Sequence, residues 1–134
     1  MKALTLREPW ASLVLEGVKT LETRSWATRY RGELFIHAGS GRVPRGDAHV
    51  NELMKLLEGP LHYGLVIARC ELVDCVRIDA EYAREIERRA PLNYISGDYT
   101  PGRYVWVLEG VRALERPVPA RGMLGLWNWE PNGV

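Results

Sequence analysis

The chain has 134 residues, 46% of them apolar and 26% charged, with a formal net charge of +1. Those figures describe a single globular domain over 1–134, with a core large enough to hold without disulfide or metal staples. No run of about 18 apolar residues is present, which excludes a helical membrane span.

In chain order, residues 2–6 read as a short strand, and Pro9 suits the first position of a helix over 9–16, where its missing N–H costs nothing. Trp10, Leu13 and Val14 share one face of that helix, and Gly17 is its natural stop. Residues 18–31 are dense in charge and aromatics. Glu33–Ala38 reads as a strand ending in the turn Gly39-Ser40-Gly41. Asp47 is a plausible N-cap for a helix to about Glu58, with Val50, Leu53, Met54 and Leu57 on the i, i+3, i+4, i+7 stripe. Residues 63–78 form one long β-rich run. Asp79 caps a surface helix through Arg89, which Pro91 ends, and 92–102 reads as loop. Tyr104–Leu108 is a strong strand, and a Pro-rich stretch over 117–119 leads to a last strand near 124–129. The totals are five or six strands and two or three helices. This order fits an α+β, mainly β, barrel with helical plugs better than a doubly wound sheet, the first helix being short for a parallel crossover.

The charge is divided along the chain: +4 over residues 1–46, −4 over 47–98 and +1 over 99–134. Fifteen of the 18 basic residues are Arg, and the three lysines are Lys2, Lys19 and Lys55. A lysine in such a background is of interest because it can lose its proton, which Arg cannot. The N-terminal segment places charge and Pro9 where a signal peptide needs an apolar stretch, so a cytoplasmic location is expected. Cys70 and Cys75 lie five residues apart, roughly 16 Å on an extended strand and beyond disulfide reach. Two reduced thiols are expected. His37, His49 and His62 are scattered, so neither a zinc site nor another cofactor is expected.

The segment Gly17-Val18-Lys19-Thr20-Leu21-Glu22-Thr23-Arg24 concentrates candidate chemistry. In extended backbone Glu22 and Arg24 share a face and Lys19 points away; with a turn, Lys19 and Glu22 approach each other. The plainer reading is an exposed ion pair worth about 0–1 kcal/mol.

Pro9-Trp10-Ala11, the pattern Gly-x-Lys-x-x-Glu-x-Arg at Gly17, Lys19, Glu22 and Arg24, Trp26, and Arg31-Gly32 through Ile36-His37-Ala38 resemble the ASCH (activating signal cointegrator homology) domain family. Gly64–Asp74, Tyr104–Leu108 and Gly122 with Gly125-Leu126-Trp127 extend the resemblance along nearly the whole chain. It looks most like the C-terminal domain of activating signal cointegrator, from which the family takes its name. The resemblance implies a PUA-like β-barrel with helices packed on it, and a cleft that binds RNA, nucleotides or modified nucleosides. Lys19, Glu22 and Arg24 would form the polar floor of that cleft. Arg7, Arg29, Arg31, Arg42 and Arg45 would supply phosphate contacts, unless they are simply a solvated face. Trp10, Trp26, Tyr30 and Trp106 are candidates for stacking on a base, each with a core reading beside it.

The alternative implied by the same superfamily is a small, metal-independent hydrolase acting on N4-acylcytidine or on RNA. Lys19 and Arg24 match the amidohydrolase pattern, and Glu71 is a plausible match to its downstream glutamate. The position of the nucleophilic threonine, however, holds Glu22, so Lys19, Glu22 and Glu71 would have to act through water. His37 and His49 are further candidate bases, with a hydrogen-bonded core role as the plainer reading of a strand-end His. The glutamate at the nucleophile position favours a binding module over the hydrolase. The expected partner is RNA or a nucleotide, with no membrane, and a monomer is the default state.

Overall fold

The computed structural model describes residues 1–131. Its strands are β1 (Lys2–Leu6), β2 (Leu21–Arg24), β3 (Gly32–Ala38), β4 (Leu65–Arg77), β5 (Tyr104–Pro119) and β6 (Leu126–Asn128). Its helices are α1 (Trp10–Leu15), α2 (Ala48–Met54), α3 (Ala80–Arg89) and α4 (Pro91–Ile95). The strands form one sheet in the order β2-β5-β4-β3-β1-β6, curled into a half-barrel. Among the described residues, no helix is long and apolar enough to cross a membrane.

The curl has a local cause. β4 and β5 pair antiparallel from Leu65↔Pro119 to Arg77↔Tyr104, with three register shifts on the way. Gly110, at φ +63°, occupies the shift between Arg69↔Arg112 and Glu71↔Glu109. Extra residues on one strand bend it and raise its twist, and a glycine takes the left-handed conformation such a bulge needs. β1 meets β3 in parallel, with Leu4 opposite Ile36. The crossover is therefore parallel after all: the chain makes it over residues 7–31, through both α1 and β2, so the short helix alone need not span it.

The concave face holds the main core: Leu4, Leu6, Leu34, Ile36, Ile67, Leu72, Trp106 and Leu108, plugged by Ala11 and Val14 of α1. Glu8 anchors that plug. Its buried carboxylate accepts from Ser12 N (2.9 Å), Ser12 Oγ (2.6 Å) and His62 N (2.7 Å), joining α1 to the segment that enters β4. A second cluster seats α3 on the sheet through Ile78, Ile86, Tyr99 and Val105. Trp127 and Trp129 pack with Ala3, Phe35 and Val66 on the other side.

Element boundaries differ from the sequence expectation where local chemistry intervenes. α2 stops at Met54 because its last N–H groups turn to i−3 carbonyls, Leu56 N to Leu53 O and Leu57 N to Met54 O. β5 continues through Pro117 and Pro119 because β2 pairs only with residues 104–107, which leaves the far part of β5 bonded on one side. Pro91 both ends α3 and opens a fourth helix within the expected loop, in the first-turn position that tolerates proline.

Cys70 and Cys75 are both free. Burial, aided by the Glu71 carboxylate, pushes the Cys70 thiol up to about 12. Only the thiolate is alkylated efficiently. Native protein treated with iodoacetamide at pH 8 should therefore be modified at half-buried Cys75 and spared at Cys70, as read by peptide mass spectrometry. Equal labelling of both would show that the β4 core opens far more readily than this packing allows.

Candidate functional site

α1 ends in a Schellman turn. Gly17, at φ +78°, donates its N–H to Val14 O, and Val18 N donates to Leu13 O. Lys19 N also reaches Leu13 O. This tight turn directs the Lys19 side chain inward just before β2 begins. Lys19 is 0% exposed. Its ammonium donates to Leu21 O (2.8 Å) and Ser96 O (2.7 Å), and pairs with Glu22 Oε1 at 3.5 Å. Three N–H bonds face three oxygens, an arrangement that suits the protonated amine. Burial pulls the Lys19 pKa below the ordinary lysine value, and the Glu22 carboxylate opposes that shift.

β2 is extended, so Glu22 and Arg24 share a face, opposite Trp106 and Tyr104 of β5. Arg24 Nε donates to Glu22 Oε2 at 3.0 Å, and its Nη2 donates to Thr5 O at 2.9 Å. Glu22 therefore lies between a buried ammonium and a part-exposed guanidinium. Both sequence alternatives hold in succession: the turn lets Lys19 meet Glu22, and the strand aligns Glu22 with Arg24. The other terminal nitrogen of Arg24, Nη1, has no hydrogen bond among the described residues.

α4 and the turn after it complete the wall. Asn93 Oδ1 accepts from Thr20 N (2.8 Å) and Leu21 N (3.0 Å), and Thr23 Oγ1 accepts from Asp98 N (2.9 Å). Gly97 packs so closely that a Cβ there would lie 2.9 Å from Tyr99 Cε1 and 3.1 Å from Thr23 Cγ2. Arg103 leans over this turn, with Nε 3.2 Å from Asp98 O.

These elements enclose an open cleft of about 530 Å³. Glu22, Arg24, Trp10, Trp26, Arg7 and Arg103 line it, with His49 at one side. Trp26 is 36% exposed and meets Trp106 edge-on, with ring centroids 4.7 Å apart. Trp106 itself is core, donating Nε1–H to Trp26 O.

Of the residues singled out from sequence, Trp10, Glu22, Arg24 and Trp26 meet in this cleft, and Arg7 joins them. Lys19 lies behind it as a strut. Arg29 is exposed and outside the lining, and Arg31 turns to Thr28 O, Tyr30 O and Asp74. Arg42 stacks over Tyr63, 4.8 Å from the ring centroid. Glu71 is exposed on β4 beside Arg69 and Arg112, away from Glu22, because its neighbours Cys70 and Leu72 take the inward positions. His37 is buried, held by Thr5 and Ala120. Asn93, Gly97, Asp98 and Arg103 were not anticipated. They join the site from more than 70 positions away in sequence, and only their Gly- and Pro-rich turn spacing marked them at all.

Lys19→Met should cost about 3–5 kcal/mol in urea unfolding, because it strands two buried carbonyls and half of an ion pair. Arg24→Met, at a part-exposed position, should cost about 1 kcal/mol. Equal losses for the two variants would contradict the strut role of Lys19.

The ASCH domain profile matches residues 4–118. Activating signal cointegrator 1 of Mus musculus is 36% identical over 81 residues, and that of Homo sapiens 35% over 81 residues. These matches cover 54% of this chain and only 14% of each relative's length. A crystal structure of a ZmASCH mutant protein from Zymomonas mobilis aligns with a TM-score of 0.54 at 18% identity, over 88% of this chain and 74% of that one. That likeness is one of fold, and it agrees with the six-stranded, helix-plugged half-barrel described above. With the profile spanning most of its length, the chain belongs to the ASCH domain family.

Proposed function

We propose that the cleft binds one nucleotide unit of RNA. The observation that carries this reading is the convergence of two indoles, a carboxylate and unpaired arginine N–H groups in one open cavity. A volume of about 530 Å³ suits a single nucleotide, within the roughly 300–1,000 Å³ range of small-ligand sites. Trp10 and Trp26 offer π-faces to a base. Glu22 offers a carboxylate acceptor to an exocyclic amino group, the pairing that carboxylates make with cytosine N4. Arg7, which has no ion pair among the described residues, and Arg24, with its remaining terminal nitrogen, offer donors to phosphate. The PUA-like character of the family, associated with RNA binding, supports the same reading.

The hydrolase alternative draws little support from the geometry. Lys19 has all three N–H bonds directed to protein oxygens and does not line the cleft. Glu71 stands on another part of the sheet. A water-activating Glu22 would have to work without the Lys19 and Glu71 of that pattern, with Arg24, His49 and Asp98 as its neighbours in the cleft instead.

The near-neutral total charge is compatible with this role, because a local cleft sets the field its ligand meets. If Arg7 and Arg24 each neutralise one of the two phosphates flanking the bound nucleotide, log K against log salt should fall with a slope of about −1.4. Fluorescence anisotropy with labelled single-stranded RNA at several salt concentrations measures it. Arg24→Ala should weaken binding roughly tenfold, while Arg69→Ala, on the far sheet surface, should leave it unchanged. No binding, or binding indifferent to salt and to Arg24, would sink the proposal.

A further inference from the structure

Among the described residues the most exposed large apolar side chain is Leu124, at 98%, next to Met123 at 63%. Single exposed apolar residues need no explanation, but two adjacent ones on a firmly held loop do. The loop runs from Ala120 to Gly125, between β5 and β6. A hydrogen-bond relay holds its base: Trp127 Nε1 donates to Thr5 Oγ1 (3.1 Å), Thr5 Oγ1 lies 3.1 Å from His37 Nδ1, and His37 Nε2 lies 2.7 Å from Ala120 O. A carbonyl only accepts, so Nε2 carries the ring proton and Nδ1 accepts from the threonine. Ala120 N also donates to Gly64 O.

Gly122 lies directly on this relay. A Cβ there would come within 2.8 Å of Thr5 Oγ1 and 2.9 Å of His37 Cε1. Gly125, at φ +65°, ends the loop against Trp26, whose Cη2 is 3.9 Å from where its Cβ would be. The apolar tip is thus clamped at both ends and presented to solvent.

Its location argues for what covers it. Trp26 connects the loop to the nucleotide cleft. Thr5 lines that cleft and also a second cavity of about 480 Å³ under the loop, with His37, Ser40, Arg121 and Leu124. The two cavities adjoin across Thr5, and Arg121 places a cation beside the second. An apolar tip, a cation and a cavity that shares the Thr5 wall with the base-binding cleft match the next nucleotide of the same strand.

We infer that Met123 and Leu124 pack against the base neighbouring the one in the cleft, so that the ligand is a single-stranded RNA rather than a free nucleoside. The inference rests on the cleft binding a nucleotide, as proposed above. Apolar side chains are used in this way against unstacked base steps elsewhere.

The test compares native protein with Met123→Ser/Leu124→Ser, whose changes lie at exposed positions that should not disturb folding. Two probes are titrated: the four ribonucleoside 5′-monophosphates, and a labelled 12-nucleotide single-stranded RNA. The double variant should lose roughly tenfold on the RNA and stay within about twofold of native on the monophosphate that binds best. Unchanged RNA affinity in the variant, with monophosphate binding intact, would overturn the inference alone and leave the tip to a protein partner. Equal loss on both probes would also overturn it, by showing that the tip acts on the cleft itself. Failure of native protein to bind either probe would overturn both the inference and the cleft reading beneath it.

Discussion

The buried ammonium of Lys19 is the interaction on which the site depends. It joins three pieces of chain that share no regular pairing there: the turn after α1, the first residues of β2, and the carbonyl of Ser96 after α4. A desolvated charge is costly unless every donor is met, and here each N–H has an oxygen. Glu22 supplies the opposing charge and passes it on to Arg24, which in turn grips Thr5 O on β1. One chain of contacts thus sets the spacing between β1, β2 and the α4 turn, and so the width of the cleft. Arginine would not serve in place of Lys19. Its larger planar fork does not fit a site built around a compact point donor, even in a chain that otherwise prefers arginine.

The arrangement separates two jobs that the signature leaves merged. Lys19 and one oxygen of Glu22 work inward and hold the wall. Arg24, Trp10, Trp26 and the open side of Glu22 work outward and face solvent. This division explains why a signature containing a lysine, a glutamate and an arginine need not be catalytic. The residue with the most tunable chemistry lies out of a ligand's reach.

Much of this was legible in the residues themselves. The strand and helix order followed from periodicity and caps except for β2, which lay in a stretch read only as dense in charge and aromatics, and α4, which lay in an expected loop. What escaped was non-local. Asn93, Gly97, Asp98 and Arg103 carry no signal that assigns them to β2, since only the packing of α3 and α4 brings them there. Pro117 and Pro119 disguised the length of β5, because a proline's tolerance depends on which side of a strand is left unpaired. Glu71 could have been placed from strand parity: Cys70 and Leu72 are the apolar neighbours, so the carboxylate between them faces outward. Its alignment with a distant enzyme pattern pointed the other way, and the alternation of side chains across the sheet decides the matter.

The central claim, that a nucleotide occupies the cleft of Glu22, Arg24, Trp10 and Trp26, is tested most directly through the indole N–H signals. The five tryptophans divide into cleft-lining Trp10 and Trp26 and buried Trp106, Trp127 and Trp129. In a two-dimensional ¹⁵N–¹H NMR titration with a ribonucleoside 5′-monophosphate, the account predicts saturable shifts of the Trp10 and Trp26 indoles, with Trp129 unmoved. Saturable shifts of Trp129 with Trp10 and Trp26 silent would place the ligand on the opposite face and contradict it.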